Sequence, residues 1–329
     1  MKVSKRWKQV MSVLTSAFLL VFLLAGCAQQ SNTTTNSSSQ KNKGVVRIGY
    51  QKSGPILLLK NNKTLEKHLE PLGYTVEWSQ FNTGISVAEA ANAGSIDFGT
   101  LGDAPSLFGK AKGLDYVYVA SEPSAPQTEG ILVKKDSPIQ TIKDLKGKKV
   151  AFNKASISQY LLIQALASEG LSLSDIQPVY LVPSDASVAF ADGKVDAWVV
   201  WDPYFTVAEN NGNRILATGE GLVSYRSFYL STRKFSEQHP EAIKQIISDL
   251  QAAGESINQD PKEAANILSD ATQIPAATWE KILRKKRSDV KFIDQQAIDD
   301  LQTQADDFLK IGLIDKKLNV ADAVWTPAN

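Results

Sequence analysis

Residues 93–105 read AGSIDFGTLGDAP, and residues 192–203 read DGKVDAWVVWDP. In both segments a Gly-x-Ile/Val-Asp turn leads into a short apolar run that ends at an aspartate, with identical spacing from the glycine to that aspartate. The apolar run predicts a buried strand, and the Asp-Ala-Pro and Asp-Pro sequences after it predict the start of a helix. The chain therefore carries the same strand-to-helix unit twice, which indicates two similar lobes.

A second echo lies upstream of each segment. Residues 48–53 (IGYQKS) and 150–155 (VAFNKA) both place an aromatic residue, an amide and a lysine between a strand and a helix. Strands and helices alternate along most of the chain, which is typical of an α/β fold with parallel-type sheets flanked by helices. The carboxyl ends of parallel strands lie along one rim of a sheet, and ligands bind at that rim.

Four turns reach the predicted rim, two from each lobe, at residues 51–55, 101–105, 153–158 and 201–203. Each ends at a helix N-terminus, whose unpaired N–H groups and partial positive charge favour an anion by up to about 1 kcal/mol. An ordinary helix cap explains any single turn, whereas the duplication favours an anion-binding site. The candidate ligand-binding residues on these turns are Gln51, Lys52, Ser53, Gly102, Asp103, Ser156, Ser158, Gln159, Trp201 and Asp202.

The composition argues against several function classes. The 329 residues are 43% hydrophobic, which is enough for two lobes with cores of their own. Basic residues total 36 and acidic residues 35, with no basic block, which argues against a nucleic-acid partner. The two histidines, His68 and His239, lie in stretches typical of the surface. With the single cysteine at position 27, the sequence predicts no metal site and no cofactor.

An enzyme is the competing class. The sequence has no Gly-x-Ser-x-Gly elbow, no His-Glu-x-x-His helix and no glycine-rich phosphate loop. Two peripheral histidines leave a serine triad without a convincing base. A secreted hydrolase is therefore the less favoured alternative, and no catalytic residue is assigned.

The first 27 residues resemble a bacterial lipoprotein signal. Basic residues precede an apolar run at 10–25, and LAGC follows at 24–27. This pattern predicts a signal peptide at 1–26 and a lipid-modified Cys27, with an ordinary signal peptide and a leftover thiol as the alternative. The run is shorter than the ~20 residues of a membrane-spanning helix. Residues 27–43 are polar and predict a flexible tether, so the predicted location is the extracytoplasmic face of the cell membrane.

Several segments together resemble one known family. They are 47–52 (RIGYQK), 94–99 (GSIDFG), 144–152 (DLKGKKVAF), 195–204 (VDAWVVWDPY) and 227–230 (SFYL). Over most of its length the chain resembles the substrate-binding proteins of aliphatic sulfonate importers of the ABC class. Taurine-binding proteins share the layout with fewer of these residues.

The resemblance implies a two-lobed periplasmic-binding-protein fold that closes on its ligand. Two crossover strands, near 131–134 and 228–232, would form the hinge. Residues 44–134 and 228–329 would then form lobe 1, and residues 135–227 lobe 2. The implied partners are an aliphatic sulfonate and a membrane permease with its ATPase. The protein would act as a monomer that contacts the membrane through its lipid anchor only.

A sulfonate suits the predicted site because it is ionised at biological pH and offers three acceptor oxygens with no proton to donate. Asp103 and Asp202 cannot attract an anion and are interpreted as helix caps that order the turns. Glu122 lies near the rim, where it is placed to meet an amino group on a zwitterionic ligand. The candidates for the wall around the ligand's tail are Tyr50, Trp198, Trp201 and Tyr204, with core packing favoured for Trp198.

One departure from the family bears on specificity. Residues 154–158 read KASIS, where the family usually has a Lys-Gly-Ser-Ser-Ser turn. Ala155 is stiffer than glycine, and Ile157 contributes no side-chain hydrogen bond. Sulfonate binding is expected to survive this change, with a different preferred tail. A receptor of the same fold for taurine, nitrate or a pyrimidine stays an alternative.

Overall fold

The computed structural model describes residues 43–326. The predicted signal peptide at 1–26, the lipidation site Cys27 and all but the last residue of the predicted tether at 27–43 lie outside the described residues. So do residues 327–329.

The strands of the described range form two sheets. The first has six strands in the order β11-β4-β10-β3-β1-β2, and the second has five in the order β7-β6-β8-β5-β9. In chain order the strands are β1 (Gly44–Tyr50), β2 (Tyr74–Gln80), β3 (Phe98–Gly102), β4 (Val117–Ser121), β5 (Glu129–Val133), β6 (Lys149–Phe152), β7 (Gln177–Tyr180), β8 (Ala197–Trp201), β9 (Arg214–Thr218), β10 (Ser227–Ser231) and β11 (Lys291–Phe292).

Three neighbouring strands at one side of each sheet are parallel. Strand β1 runs parallel to β2 and β3, and β6 runs parallel to β7 and β8. Strand β10 pairs antiparallel with β3 and β4, and β5 pairs antiparallel with β8 and β9. The two sheets therefore share one plan, as the sequence repeat predicts.

Helices cover the faces of both sheets. In chain order they are α1 (Gly54–Asn62), α2 (Thr64–Leu69), α3 (Gly84–Asn92), α4 (Asp103–Ala111), α5 (Ile157–Ser168), α6 (Pro183–Ala191), α7 (Tyr204–Asn210), α8 (Arg233–Gln238), α9 (Pro240–Gln259), α10 (Pro261–Thr272), α11 (Ala276–Lys285) and α12 (Gln295–Lys310). Among the described helices, none has both the length and the apolar character needed to cross a membrane.

Each lobe has two apolar cores, one on either face of its sheet. In the first lobe, one core joins Ile48 of β1 to Trp279 of α11, and the other contains Phe308 of α12. In the second lobe, Leu161 of α5 lies in one core and Phe205 of α7 in the other. The predicted two-lobed α/β architecture is confirmed.

The repeated Gly-x-Ile/Val-Asp turn has the same structural role in both lobes. The Asp97 carboxylate accepts a hydrogen bond from the backbone N–H of Arg47 at 2.9 Å, and the Asp196 carboxylate accepts one from the N–H of Lys149 at 2.8 Å. Each aspartate thus ties the strand that follows it to the first parallel strand of its own sheet. The glycine of each turn has a positive φ, near 70°, which explains why glycine is found there.

The chain passes between the lobes earlier than the sequence indicated. Residues 44–134 were assigned to lobe 1, but β5 pairs with β8 and β9 of the second sheet. The crossings are the connections 122–128 and 219–226, rather than strands near 131–134 and 228–232. The reason is physical: the apolar run of β5 predicts a strand but carries no local signal for the sheet that the strand joins.

Gly254 gives a test of how closely the first lobe is packed. An ideal Cβ at this position in α9 would lie 1.9 Å from the carbonyl oxygen of Ser288. Helix propensity alone favours alanine over glycine by about 1 kcal/mol. Because the neighbouring backbone must move, we expect Gly254→Ala to lower the free energy of unfolding by about 2 kcal/mol in urea denaturation.

Ser256→Ala, on the exposed side of the same helix, is the matched control. It should leave stability within about 0.5 kcal/mol of the wild type. A Gly254→Ala variant as stable as this control would contradict the close contact.

Candidate functional site

A cavity lies between the lobes, where the carboxyl ends of the parallel strands meet the helices that follow them. Its empty volume, which includes space open to solvent, is about 730 Å³. The lining residues are Gln51, Lys52, Ser53, Gln80, Phe81, Asn82, Gly84, Thr100, Leu101, Gly102, Pro105, Ser156, Ile157, Trp201, Asp202, Pro203, Tyr204, Tyr225 and Ser227.

The four predicted turns all contribute to this cavity. Seven of the predicted site residues line it: Gln51, Lys52, Ser53, Gly102, Ser156, Trp201 and Asp202. The helices α1, α3, α4, α5 and α7 each begin within or next to the lining. The cavity is therefore bordered by helix N-termini from both lobes, which is an environment that favours an anion.

Two of the three serines that line the cavity, Ser53 and Ser156, differ in whether their hydroxyl is free for a ligand. The Ser156 hydroxyl donates to the carbonyl oxygen of Asn153 at 2.6 Å. The Ser53 hydroxyl is buried, and within residues 43–326 it has no hydrogen-bond partner. Ser53 is therefore the hydroxyl that is free to donate to a ligand, since an unpaired buried polar group is unfavourable.

The turn before α5 accommodates its departure from the family pattern. Ala155 has a φ of 54°, the left-handed conformation that glycine adopts more easily. Its backbone N–H donates to the side-chain oxygen of Gln159 at 2.8 Å, which supports the turn. Ile157 is 3% exposed and presents an apolar surface to the cavity.

Four predicted site residues do not line the cavity. Gln159 is engaged with the Ala155 turn, and Ser158 is fully buried in α5. Both carboxylate oxygens of Glu122 are taken, by the hydroxyl of Tyr229 and the ammonium of Lys286, each at 2.9 Å. Glu122 is therefore not available to an amino group on a ligand.

Asp103, the fourth residue outside the lining, orders the site from beneath. Its carboxylate accepts the backbone N–H groups of Ala104 at 2.7 Å and of Arg226 at 3.0 Å. Burial raises the pKa of Asp103 to about 7, although these hydrogen bonds act to lower it. Asp103 thus joins the start of α4 to the returning crossing, in keeping with its interpretation as a residue that orders the turn.

Asp202 caps α7 and also faces the cavity. One carboxylate oxygen accepts the N–H of Thr206 at 2.9 Å, and the other lies 3.7 Å from the ammonium of Lys285. Burial raises the pKa of Asp202, and Lys285 opposes that rise. An acidic side chain therefore borders the site, with a cation beside it.

The aromatic candidates divide between wall and core. Trp201 and Tyr204 line the cavity. Trp198 is 2% exposed in the second lobe, so core packing is correct for it. Tyr50 is also buried, with its hydroxyl near the Gln80 side chain.

Three comparisons place this arrangement among known proteins. The family model described as NMT1/THI5 like matches residues 73–264. The chain belongs to the NMT1/THI5-like family.

Two solved structures are similar to the chain over nearly their whole length. The alkanesulfonate-binding protein SsuA from Xanthomonas axonopodis pv. citri, bound to MOPS, is 38% identical, with a TM-score of 0.80, over 85% of this chain and 98% of that one. The periplasmic aliphatic sulphonate binding protein SsuA from Escherichia coli is 36% identical, with a TM-score of 0.76, over 87% of this chain and 93% of that one.

A relative from Bacillus subtilis (strain 168), named as a candidate aliphatic sulfonates-binding protein, is 33% identical over 93% of this chain and 92% of its own length. The resemblance drawn from the sequence is confirmed by these matches. The similar proteins are named for binding, which agrees with the prediction of a receptor rather than an enzyme.

In this member of the NMT1/THI5-like family, the sequence analysis missed one side of the cavity. The turn between β2 and α3 contributes Gln80, Phe81, Asn82 and Gly84, and the returning crossing contributes Tyr225. The polar Asn-Thr-Gly run after β2 is a usable signal, because β2 is parallel to β1 and ends at the same rim. The irregular crossing carries no such signal.

A second buried acid lies beneath the cavity of this family member. Glu129 is fully buried, sits opposite Trp201 in the β5–β8 register, and has no hydrogen-bond partner for its carboxyl group among the described residues. Burial raises the pKa of Glu129 well above its ordinary 4.5, and the nearby Asp103 adds to the rise.

Glu129 is expected to make stability depend on pH. The folded state keeps its proton while the unfolded chain releases it, so its stabilising contribution is full below pH 4.5 and is lost as pH rises towards the folded-state pKa. Above pH 4.5, Glu129→Gln should remove from the free energy of unfolding a downward slope of up to about 1.4 kcal/mol per pH unit.

Urea denaturation of the wild type and the variant at several pH values measures this difference. The exposed Glu237→Gln change is the control for loss of one carboxylate. Parallel pH profiles for Glu129→Gln and the wild type would show that Glu129 is ionised in the folded state.

Proposed function

We propose that this chain is an extracytoplasmic solute receptor. It binds aliphatic sulfonates in the cavity between its lobes and delivers them to an ABC importer for sulfur acquisition. The observation that carries the proposal is the convergence of helix N-termini from both lobes on one cavity that also holds the free hydroxyl of Ser53. This combination recognises negative charge through neutral donors.

The donor set supports a sulfonate over other anions. Backbone N–H groups are donors only, and the Ser53 hydroxyl can donate as well, which matches three sulfonate oxygens that carry no proton. A hydrogen phosphate would need an acceptor for its proton, and the acidic group of the lining, Asp202, is already engaged with Thr206 and Lys285. The anionic headgroup is therefore expected at the helix N-termini.

The remaining wall supports an organic tail. Phe81, Ile157, Trp201, Tyr204 and Tyr225 give the cavity an apolar and aromatic lining. Such surfaces favour the carbon atoms of a ligand while the polar groups orient its charged end. Similarity to alkanesulfonate-binding proteins, one of them bound to MOPS, supports the same ligand class.

The proposed cellular setting follows from the N-terminal sequence. Cys27 would carry the lipid that anchors the mature chain to the cell membrane, and residues 27–43 would form the tether. The receptor would act as a monomer and present its ligand to a membrane permease coupled to an ATPase. A receptor for taurine, nitrate or a pyrimidine is the alternative within the same fold.

Calorimetry with a ligand panel tests the proposal. The panel holds 1-butanesulfonate, taurine, pentanoate, nitrate and a free aminopyrimidine. We expect 1-butanesulfonate to bind without turnover and to raise the melting temperature, because a ligand that binds only the folded state stabilises it. Tight binding of nitrate or the pyrimidine, with none of 1-butanesulfonate, would favour the alternative receptor.

The Ser53 hydroxyl gives a residue-level test. Ser53→Ala removes the free donor and should weaken 1-butanesulfonate binding by about tenfold or more, as for a hydrogen bond to a charged group. Ser79→Ala, an exposed serine at the end of β2, is the matched control and should bind like the wild type. Equal affinities for the two variants would remove Ser53 from the binding site.

A further inference from the structure

Two consecutive lysines at the end of α11 each meet a buried carboxylate. The Lys286 ammonium lies 2.9 Å from Glu122, at the start of the outgoing crossing. The Lys285 ammonium lies 2.7 Å from the hydroxyl of Thr206 and 3.7 Å from the carboxylate of Asp202. Helix α11 packs in the first lobe, whereas Thr206 and Asp202 belong to the second, so Lys285 reaches across from one lobe to the other.

Asp202 is the residue that needs this cation. It lines the cavity, its side chain is only 8% exposed, and the oxygen facing Lys285 has no hydrogen bond in the described part of the chain. A bare carboxylate at this position would repel the anionic headgroup that the helix N-termini attract. Coulomb repulsion between two such charges is strong where water is largely excluded.

We propose that Lys285 is a positioning residue for the anion site. Carried by the first lobe, its ammonium offsets the charge of Asp202 on the second, so that an anion is accepted beside that carboxylate when α11 lies against α7. The inference rests on the proposed function, because it assumes an anionic ligand. It adds that the charge of the site, as well as its shape, differs when the two lobes lie close together.

The other charged and titratable groups around the pair come from several elements. Glu209 of α7 lies 3.8 Å from the Lys285 ammonium and 2.9 Å from Lys281. Lys286 contributes a weaker positive charge to Asp202. Burial raises the pKa of the Tyr225 hydroxyl in the lining, and the nearby acids Glu129, Asp103, Asp202 and Glu122 add to the rise. Since acids predominate here, loss of Lys285 leaves Asp202 with little compensation.

The decisive variant is Lys285→Met, which keeps most of the length of the side chain and removes its charge. We expect the affinity for 1-butanesulfonate, measured by calorimetry, to fall about tenfold or more near pH 8, as when one partner of a buried charge pair is removed. The loss should shrink towards pH 5, because protonation of Asp202 then removes the repulsion. Wild-type affinity should change less over this range, since the sulfonate itself does not titrate.

Lys281→Met is the matched control. Lys281 lies on the same helix and pairs with Glu209 of α7, but it does not approach Asp202. The affinity of the Lys281→Met variant for 1-butanesulfonate should stay within about twofold of that of the wild type, as expected for an exposed ion pair.

Asp202→Asn separates charge compensation from a packing role for Lys285. Asparagine keeps an oxygen for the Thr206 N–H and carries no charge. We expect Asp202→Asn to bind at least as tightly as the wild type, and the Asp202→Asn/Lys285→Met pair to regain most of the lost affinity without pH dependence. If Lys285→Met alone does not fold, the double variant is compared with Asp202→Asn. Weak binding by the double variant would then indicate a packing role for Lys285.

The outcomes also separate the two proposals. If the wild-type chain binds no sulfonate, the proposed function fails, and this inference fails with it. If the wild type binds and Lys285→Met binds equally well near pH 8, or if Asp202→Asn binds far more weakly than the wild type, only the role of Lys285 is overturned.

Discussion

Hydrogen bonds between the two crossing connections set the geometry on which the site depends. The N–H of Ala125 donates to the carbonyl of Tyr225 at 2.7 Å, and the N–H of Glu122 donates to Ser227 at 2.9 Å. The connections therefore run side by side and give the lobes a narrow common base. Asp103 joins this base to the start of α4 through Arg226, so the wall of the cavity and the crossing connections are one hydrogen-bonded unit.

Few charged side chains line the site. The lining holds one basic side chain, Lys52, and one acidic side chain, Asp202, so a ligand's negative charge meets backbone dipoles more than ions. The acids beneath the cavity differ in whether a cation is paired with them. Glu122 is paired with Lys286, whereas Glu129 has no cation beside it among the described residues, and burial raises its pKa. An anion site can lie above several carboxyl groups because few of them expose a negative charge to it.

The sequence carried more information about the plan of the fold than about which side chains face the cavity. The duplicated turn predicts two similar lobes because Asp97 and Asp196 make the same backbone contact in each. By contrast, α5 is apolar on nearly every side, so its pattern could not show that Ser158 and Gln159 turn inwards. The sequence also could not show which lobe contains β5, because an apolar strand can pair in either sheet.

The position of β10 has a consequence for how the chain folds. Strand β10 lies between β3 and β4, and within residues 43–326 β4 pairs only with strands that follow it in the chain, β10 and β11. The second sheet, in contrast, is built from one continuous stretch, 129–218. We therefore expect the middle of the polypeptide to complete its sheet before the amino-terminal lobe does. The sheet of that lobe cannot be completed until β10 is in place, and pairings of high sequence separation form slowly.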